Sequence, residues 1–164
     1  MSLYKIVKFN LNPNCKPRTM DIEIINKEFN LTLYGFSGIA VGKNYGDTGF
    51  KLMNKMWDKI GSNNLKHKGI NVWVYEPDNK MFTGVELEEA PVNDTGLELK
   101  KISLSKYAYY KHIGPYSGLA NAYSRMRTFL SEKNLRTCSP GLEIYGHWNQ
   151  DESKLETEIL MCLD

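Results

Sequence analysis

Apolar and polar positions alternate from the first residues of the chain. Tyr4, Ile6 and Phe9 interleave with Lys5, Lys8 and Asn10 across Met1 to Asn14, a period of two that predicts a strand. From Asp21, the apolar positions Ile22, Ile24 and Ile25 predict another, and the apolar run Leu31 to Val41, broken by Gly35 and Gly38, a third. The period then changes. Phe50, Met53, Trp57 and Ile60 recur at helical spacing, Asp47 or Thr48 is placed to cap that helix, and Gly61 to end it. Two β-rich runs follow, Ile70 to Tyr75 and Met81 to Leu87, and Pro77-Asp78-Asn79 between them is turn chemistry, so they form a hairpin.

The same order then recurs. Leu97 to Leu104 and Lys106 to Ile113 read as strands, Gly114-Pro115-Tyr116 as a turn, and Ser117 as a cap. A second helical stripe, Leu119, Ala122, Met126 and Phe129, runs until Asn134, and strands Leu142 to Trp148 and Leu155 to Leu163 complete the chain. The two stripes coincide at an offset of 69. The pattern therefore predicts an α+β protein of duplicated βαββ units, 21–91 and 97–164, behind a 1–20 extension. Pseudo-twofold symmetry, an antiparallel sheet and two main helices around a central cleft complete the expectation.

With 164 residues, one core is enough to fold without a staple. No apolar run approaches the roughly 20 residues of a membrane span, and no secretory block opens the chain, so a cytoplasmic protein with no membrane contact is expected. Net charge is +2, and the arginines are Arg18, Arg125, Arg127 and Arg136. That is a poor electrostatic footprint for nucleic acid, and no direct nucleic-acid contact is expected. Cys15, Cys138 and Cys162 are widely spaced, with no CxxC pair, and read as reduced thiols. His67, His112 and His147 lack ligand spacing, so neither metal nor cofactor is expected. The glycine-rich Gly42 to Gly49 lacks the order of a phosphate cradle, and no nucleophile elbow occurs. What stands out is aromatic content: 12%, with ten Tyr and three Trp, ring-bearing side chains with polar tips that suit a binding wall as well as a core.

The run Tyr107-Ala108-Tyr109-Tyr110-Lys111-His112-Ile113-Gly114-Pro115-Tyr116, followed by the amphipathic helix and then by Thr157-Glu158-Ile159, resembles the GyrI-like small-molecule-binding family. That family includes the effector-binding domains of bacterial multidrug-responsive transcription activators. Its pattern is an H-x-G-P-Y strand end and a T-E-I core in the last strand. Gly35, the Trp73 to Asp78 approach and Phe82-Thr83-Gly84-Val85-Glu86 agree more loosely, so the likeness spans about residues 20–164. The resemblance implies a pocket at the pseudo-twofold centre, walled by rings and holding a carboxylate, which it places at Glu158. It also implies bulky, apolar, often cationic ligands and, for some standalone members, hydrolysis of cyclopropane-bearing toxins. About twenty residues before the first unit are too few for a helix-turn-helix, so a standalone form is expected rather than the regulator itself.

Strand parity sets Glu156, Glu158, Leu160 and Cys162 on one face and Thr157, Ile159, Met161 and Leu163 on the other. A half-buried Glu158 would reward a cationic guest; the competing reading is a sheet-edge carboxylate in water. Aligning Tyr75 with Tyr145 makes Gly84 the counterpart of Glu158, so that one half supplies charge and the other space. Parity separates Trp73 and Tyr75 from Val72 and Val74, and Tyr145 and His147 from Ile144 and Trp148. The candidate ligand-binding set is accordingly Glu158, Tyr116, Tyr145, Tyr75 and Tyr110, with Trp148 at the rim, while Trp57 and Phe129 belong to the core. Tyr116 suits either the core or a pocket mouth.

Three functions fit. The leading one is a standalone domain that senses or sequesters bulky amphipathic, cationic xenobiotics. The second is a hydrolase of strained electrophiles, with Glu158 as general acid or orienting water, and Tyr116 or Tyr145 steadying an oxyanion. The third is a gyrase-inhibitor-like module whose partner is a protein, gyrase or a regulator, bound through strand edges.

Overall fold

The computed structural model describes residues 22–164; the predicted Met1 to Asn14 strand and the 1–20 extension lie outside the described residues. Eight strands and two main helices follow one another as β1 (Glu23–Ile25), β2 (Phe29–Ile39), α1 (Tyr45–Ser62), β3 (Val72–Tyr75), β4 (Lys80–Val85), β5 (Glu98–Leu104), β6 (Tyr107–Ile113), α2 (Leu119–Glu132), β7 (Thr137–Tyr145) and β8 (Glu156–Leu163). They form one antiparallel sheet in the order β1-β6-β8-β7-β3-β4-β2-β5. This is the α+β architecture the patterning predicts. The order is reversed, and otherwise unchanged, when β1 to β4 are exchanged for β5 to β8. Each half lends its first strand to the other: β1 pairs with β6, and β5 with β2.

Connection lengths force this sheet to curl. β5 is the last strand and β6 the second, six strand spacings apart or roughly 29 Å in a flat sheet. Yet only Ser105 and Lys106 join them, a reach of about 11 Å. The sheet therefore bends until its margins meet, and the rings of Phe29 on β2 and Tyr107 on β6 pack edge to face, 5.8 Å between centroids. The concave face is consequently buried by its own strands. Leu33, Val74, Phe82, Leu104, Leu142 and Leu160 fill it without help from either helix.

Both helices lie on the convex face. α1 packs Met56 and Ile60 against Phe36 and Val85, and α2 packs Ala122, Met126 and Leu130 against Ala108, Ile159 and Leu163. The buried stripes are offset by seventy residues, one more than the sequence pattern suggests. Helix caps also differ from expectation. Asn44 caps α1 by accepting the Asp47 amide at 3.3 Å, while Ser117 falls in a 3-10 turn, Tyr116–Gly118, and α2 begins without a side-chain cap. α1 sits so close to the sheet that a Cβ on Gly49 would fall 2.4 Å from the Trp73 ring, which only glycine permits.

Two further expectations are corrected. β7 begins at Thr137 and ends at Tyr145, so Trp148 lies in the following loop rather than at a strand end. Cys138 and Cys162 are not free thiols: they form a disulfide between β7 and β8. No helix among the described residues is long and apolar enough to cross a membrane.

Candidate functional site

The site is built around the middle of the sheet, where β3 meets β7. Register places Glu143 directly across from Trp73 on β3 and from Ile159 on β8, on the helix-covered face. Glu143 is only 4% exposed. A carboxylate so buried costs several kcal/mol unless hydrogen bonds replace its water. Tyrosine phenols do so here. Tyr145, two residues along the same face, donates to Glu143 Oε2, and Tyr75 donates to the same oxygen at 2.6 Å. Tyr75 can lean across because its direct partner is Gly141, which has no side chain in the way. Tyr123 on α2 faces the same carboxylate.

Burial first, and the negative charge of Glu143 second, push the phenols of Tyr75, Tyr123 and Tyr145 well above their usual range. At neutral pH all three therefore remain protonated donors around one acid. Beside this cluster opens a cavity of about 450 Å³, walled by Tyr45, Tyr75, Tyr123 and Met161, with Glu143 in its lining and Arg127 contributed by α2. Tyr45 packs edge to face on Tyr75, 5.5 Å between centroids, and is itself held by Asn79 Oδ1 at 3.0 Å. Cys138 lines the same cavity, so the disulfide ties one wall to β8. A buried acid among ring faces and edges suits an organic cation of moderate size, since rings and carboxylate both attract positive charge. No cluster of metal-ligating side chains occurs among the described residues.

The structure redistributes the candidate residues. Tyr75 and Tyr145 come together on the buried acid, but the acid is Glu143, not Glu158. Glu158 pairs with Ile144 and Lys111 on the opposite, concave face, where it approaches the Tyr109 phenol and, after burial itself, helps push that pKa to about 12. The register also pairs Gly84 with Val72 and Glu158 with Ile144, so Phe82, not Gly84, is the counterpart of Glu158. Tyr116 is 40% exposed and packs edge to face on Tyr145, 5.5 Å between centroids. Trp148, 77% exposed, lies with Tyr116 at a separate depression of about 290 Å³. Tyr110 packs in the core beneath α2. The catalytic trio imagined for a hydrolase does not assemble, because the sheet itself divides Glu158 from Tyr116 and Tyr145.

Glu143, Tyr123, Arg127 and Tyr45 were not among the candidates. Parity alone carried a signal for the first: Glu143 is the polar residue two before Tyr145, on the face that Tyr145 shares. The other three depend on how the helices lie over the sheet, which spacing along the chain does not state.

A curled antiparallel sheet with two helices on its outer face, and an acid-floored, tyrosine-walled cavity between them, defines a small-molecule-binding α+β domain. The GyrI-like small molecule binding domain matches residues 40–163, and the chain belongs to that family. No curated protein matches the sequence. Among solved structures, the fold is similar to that of SAV2435 bound to tetraphenylphosphonium, with a TM-score of 0.60 and 18% identity over 88% of this chain and 94% of that one. It is similar also to the C-terminal domain of EcmrR (TM-score 0.61, 19% identity, 88% and 99% covered). A hydrolase from Listeria innocua shares the fold at a TM-score of 0.53 and 15% identity, with 87% and 91% covered.

Proposed function

We propose that this protein binds a bulky amphipathic small molecule carrying positive charge, and that it does so at the Glu143 cavity in the service of xenobiotic sensing or sequestration. The observation that carries the reading is a carboxylate 4% exposed, kept in place by tyrosine donors and opening onto a ring-walled space. Such an acid is costly to bury, and a cationic guest offsets that cost while excluding water from the rings. SAV2435, a structure of the same fold, holds tetraphenylphosphonium, a ligand of this chemistry.

Calorimetric titration with tetraphenylphosphonium tests the proposal. Micromolar binding, about 8 kcal/mol, that is weakened strongly in Glu143→Gln and little in Glu158→Gln is the expected result. Equal affinity in wild type and Glu143→Gln would refute the assigned role.

A further inference from the structure

Arg127 is unexpected in a pocket made for a cation. It lines the same cavity as Glu143, with its guanidinium carbon 5.9 Å from the centroid of the Tyr123 ring, one helical turn earlier on α2. Among the described residues it has no carboxylate within ion-pair distance. Arg127 is solvent-exposed whereas Glu143 is buried, so the cavity carries its negative charge deep and its positive charge near the outside. Seventy positions earlier on α1, in the corresponding place, stands Trp57.

We infer that the natural ligand is dipolar, with a cationic portion against Glu143 and an anionic group, a carboxylate or its equivalent, forked by the Arg127 guanidinium at the mouth. This rests on the proposed function and names its ligand class more closely. A guanidinium offers a planar pair of donors that match a carboxylate, and near the cavity mouth it disfavours a guest bearing positive charge alone. A ring-bearing zwitterion satisfies both ends, whereas a simple lipophilic cation satisfies only the inner one.

Two dyes separate these cases. Rhodamine 6G is a cation with its carboxyl group esterified, and rhodamine 19 is the same ring system with that carboxylate free. Fluorescence anisotropy should show wild type binding rhodamine 19 about tenfold more tightly than rhodamine 6G, the scale of one charge-assisted contact. Arg127→Gln should erase that preference by weakening rhodamine 19 and slightly tightening rhodamine 6G, and Arg127→Lys should restore part of it. Glu143→Gln should weaken both dyes. If wild type binds both dyes equally, or prefers rhodamine 6G, while Glu143→Gln still weakens them, the dipolar ligand is refuted and the cation site stands. If wild type binds neither dye, the proposed function falls and the inference falls with it. Arg127 is exposed on its helix, so its replacement should leave the circular dichroism and melting temperature unchanged, and a loss of fold on substitution would refute the role given to it.

Discussion

The two halves of the helix-covered face are built from corresponding positions and are filled in opposite ways. In the second half stand Glu143, Tyr123, Arg127, Thr137 and Gly141; seventy residues earlier, in the first, stand Trp73, Met53, Trp57, His67 and Asn71, and the two halves meet where Trp73 pairs with Glu143. The first half is filled with its own side chains. Trp57 donates to Asn71 Oδ1 at 2.9 Å and packs edge to face on His67, 4.7 Å between centroids, while Trp73 is pressed under Gly49 and flanked by Phe50 and Tyr145. One frame thus gives a plug of rings where two tryptophans fall, and a cavity where an acid and an arginine replace them. The backbone does not decide which half is filled and which is open; the side chains set on it do.

That contrast can be broken in graded ways. The largest effect should come from Glu143→Gln, which leaves the shape of the site and removes its charge: tetraphenylphosphonium affinity should fall about a hundredfold, or about 3 kcal/mol, by calorimetry. Next, Trp57→Ala should destabilise the filled half by about 3 kcal/mol in urea unfolding, a cavity cost, and leave tetraphenylphosphonium affinity at the open half within about twofold. Tyr75→Phe removes one donor to the carboxylate and should weaken binding by about 1 kcal/mol, roughly fivefold.

Alkaline titration distinguishes the phenols that serve the acid. The folded pKa values of Tyr75, Tyr123 and Tyr145 lie above the unfolded value of about 10, so their contribution to stability is complete below about pH 10 and is lost as pH rises beyond it. Absorbance at 295 nm should show these three, of ten tyrosines, ionising only with unfolding. Smallest of all, Glu158→Gln should change tetraphenylphosphonium affinity by less than about twofold, since the acid lies across the sheet from the cavity.

Periodicity displayed the elements well, because a period of two or 3.6 is written in neighbouring residues. It also put Tyr75 on the face of Trp73, and Tyr145 opposite Ile144, as the register has them. What it did not contain was the covering of those faces. Parity divides Glu143 from Ile144 and Glu158 from Ile159, yet it does not say which face meets a helix and which is curled shut. The T-E-I likeness then drew the acid to β8, one strand and one face away from where burial and phenol donors hold it. The Cys138–Cys162 pairing was hidden for a related reason: 24 residues apart in sequence, the two meet only because β7 and β8 are neighbours. Arg127 sits outside the buried stripe of α2, so spacing gives it the pattern of a solvated residue.

The central claim is that Glu143 receives the positive part of the ligand, and a crystal structure of the protein with tetraphenylphosphonium tests it most directly. The account predicts the phosphonium in the cavity between Tyr45, Tyr75 and Tyr123, with Glu143 the nearest carboxylate. Phosphonium density at the Tyr116 and Trp148 depression, or beside Glu158 on the concave face, with the Glu143 cavity bare, would contradict it.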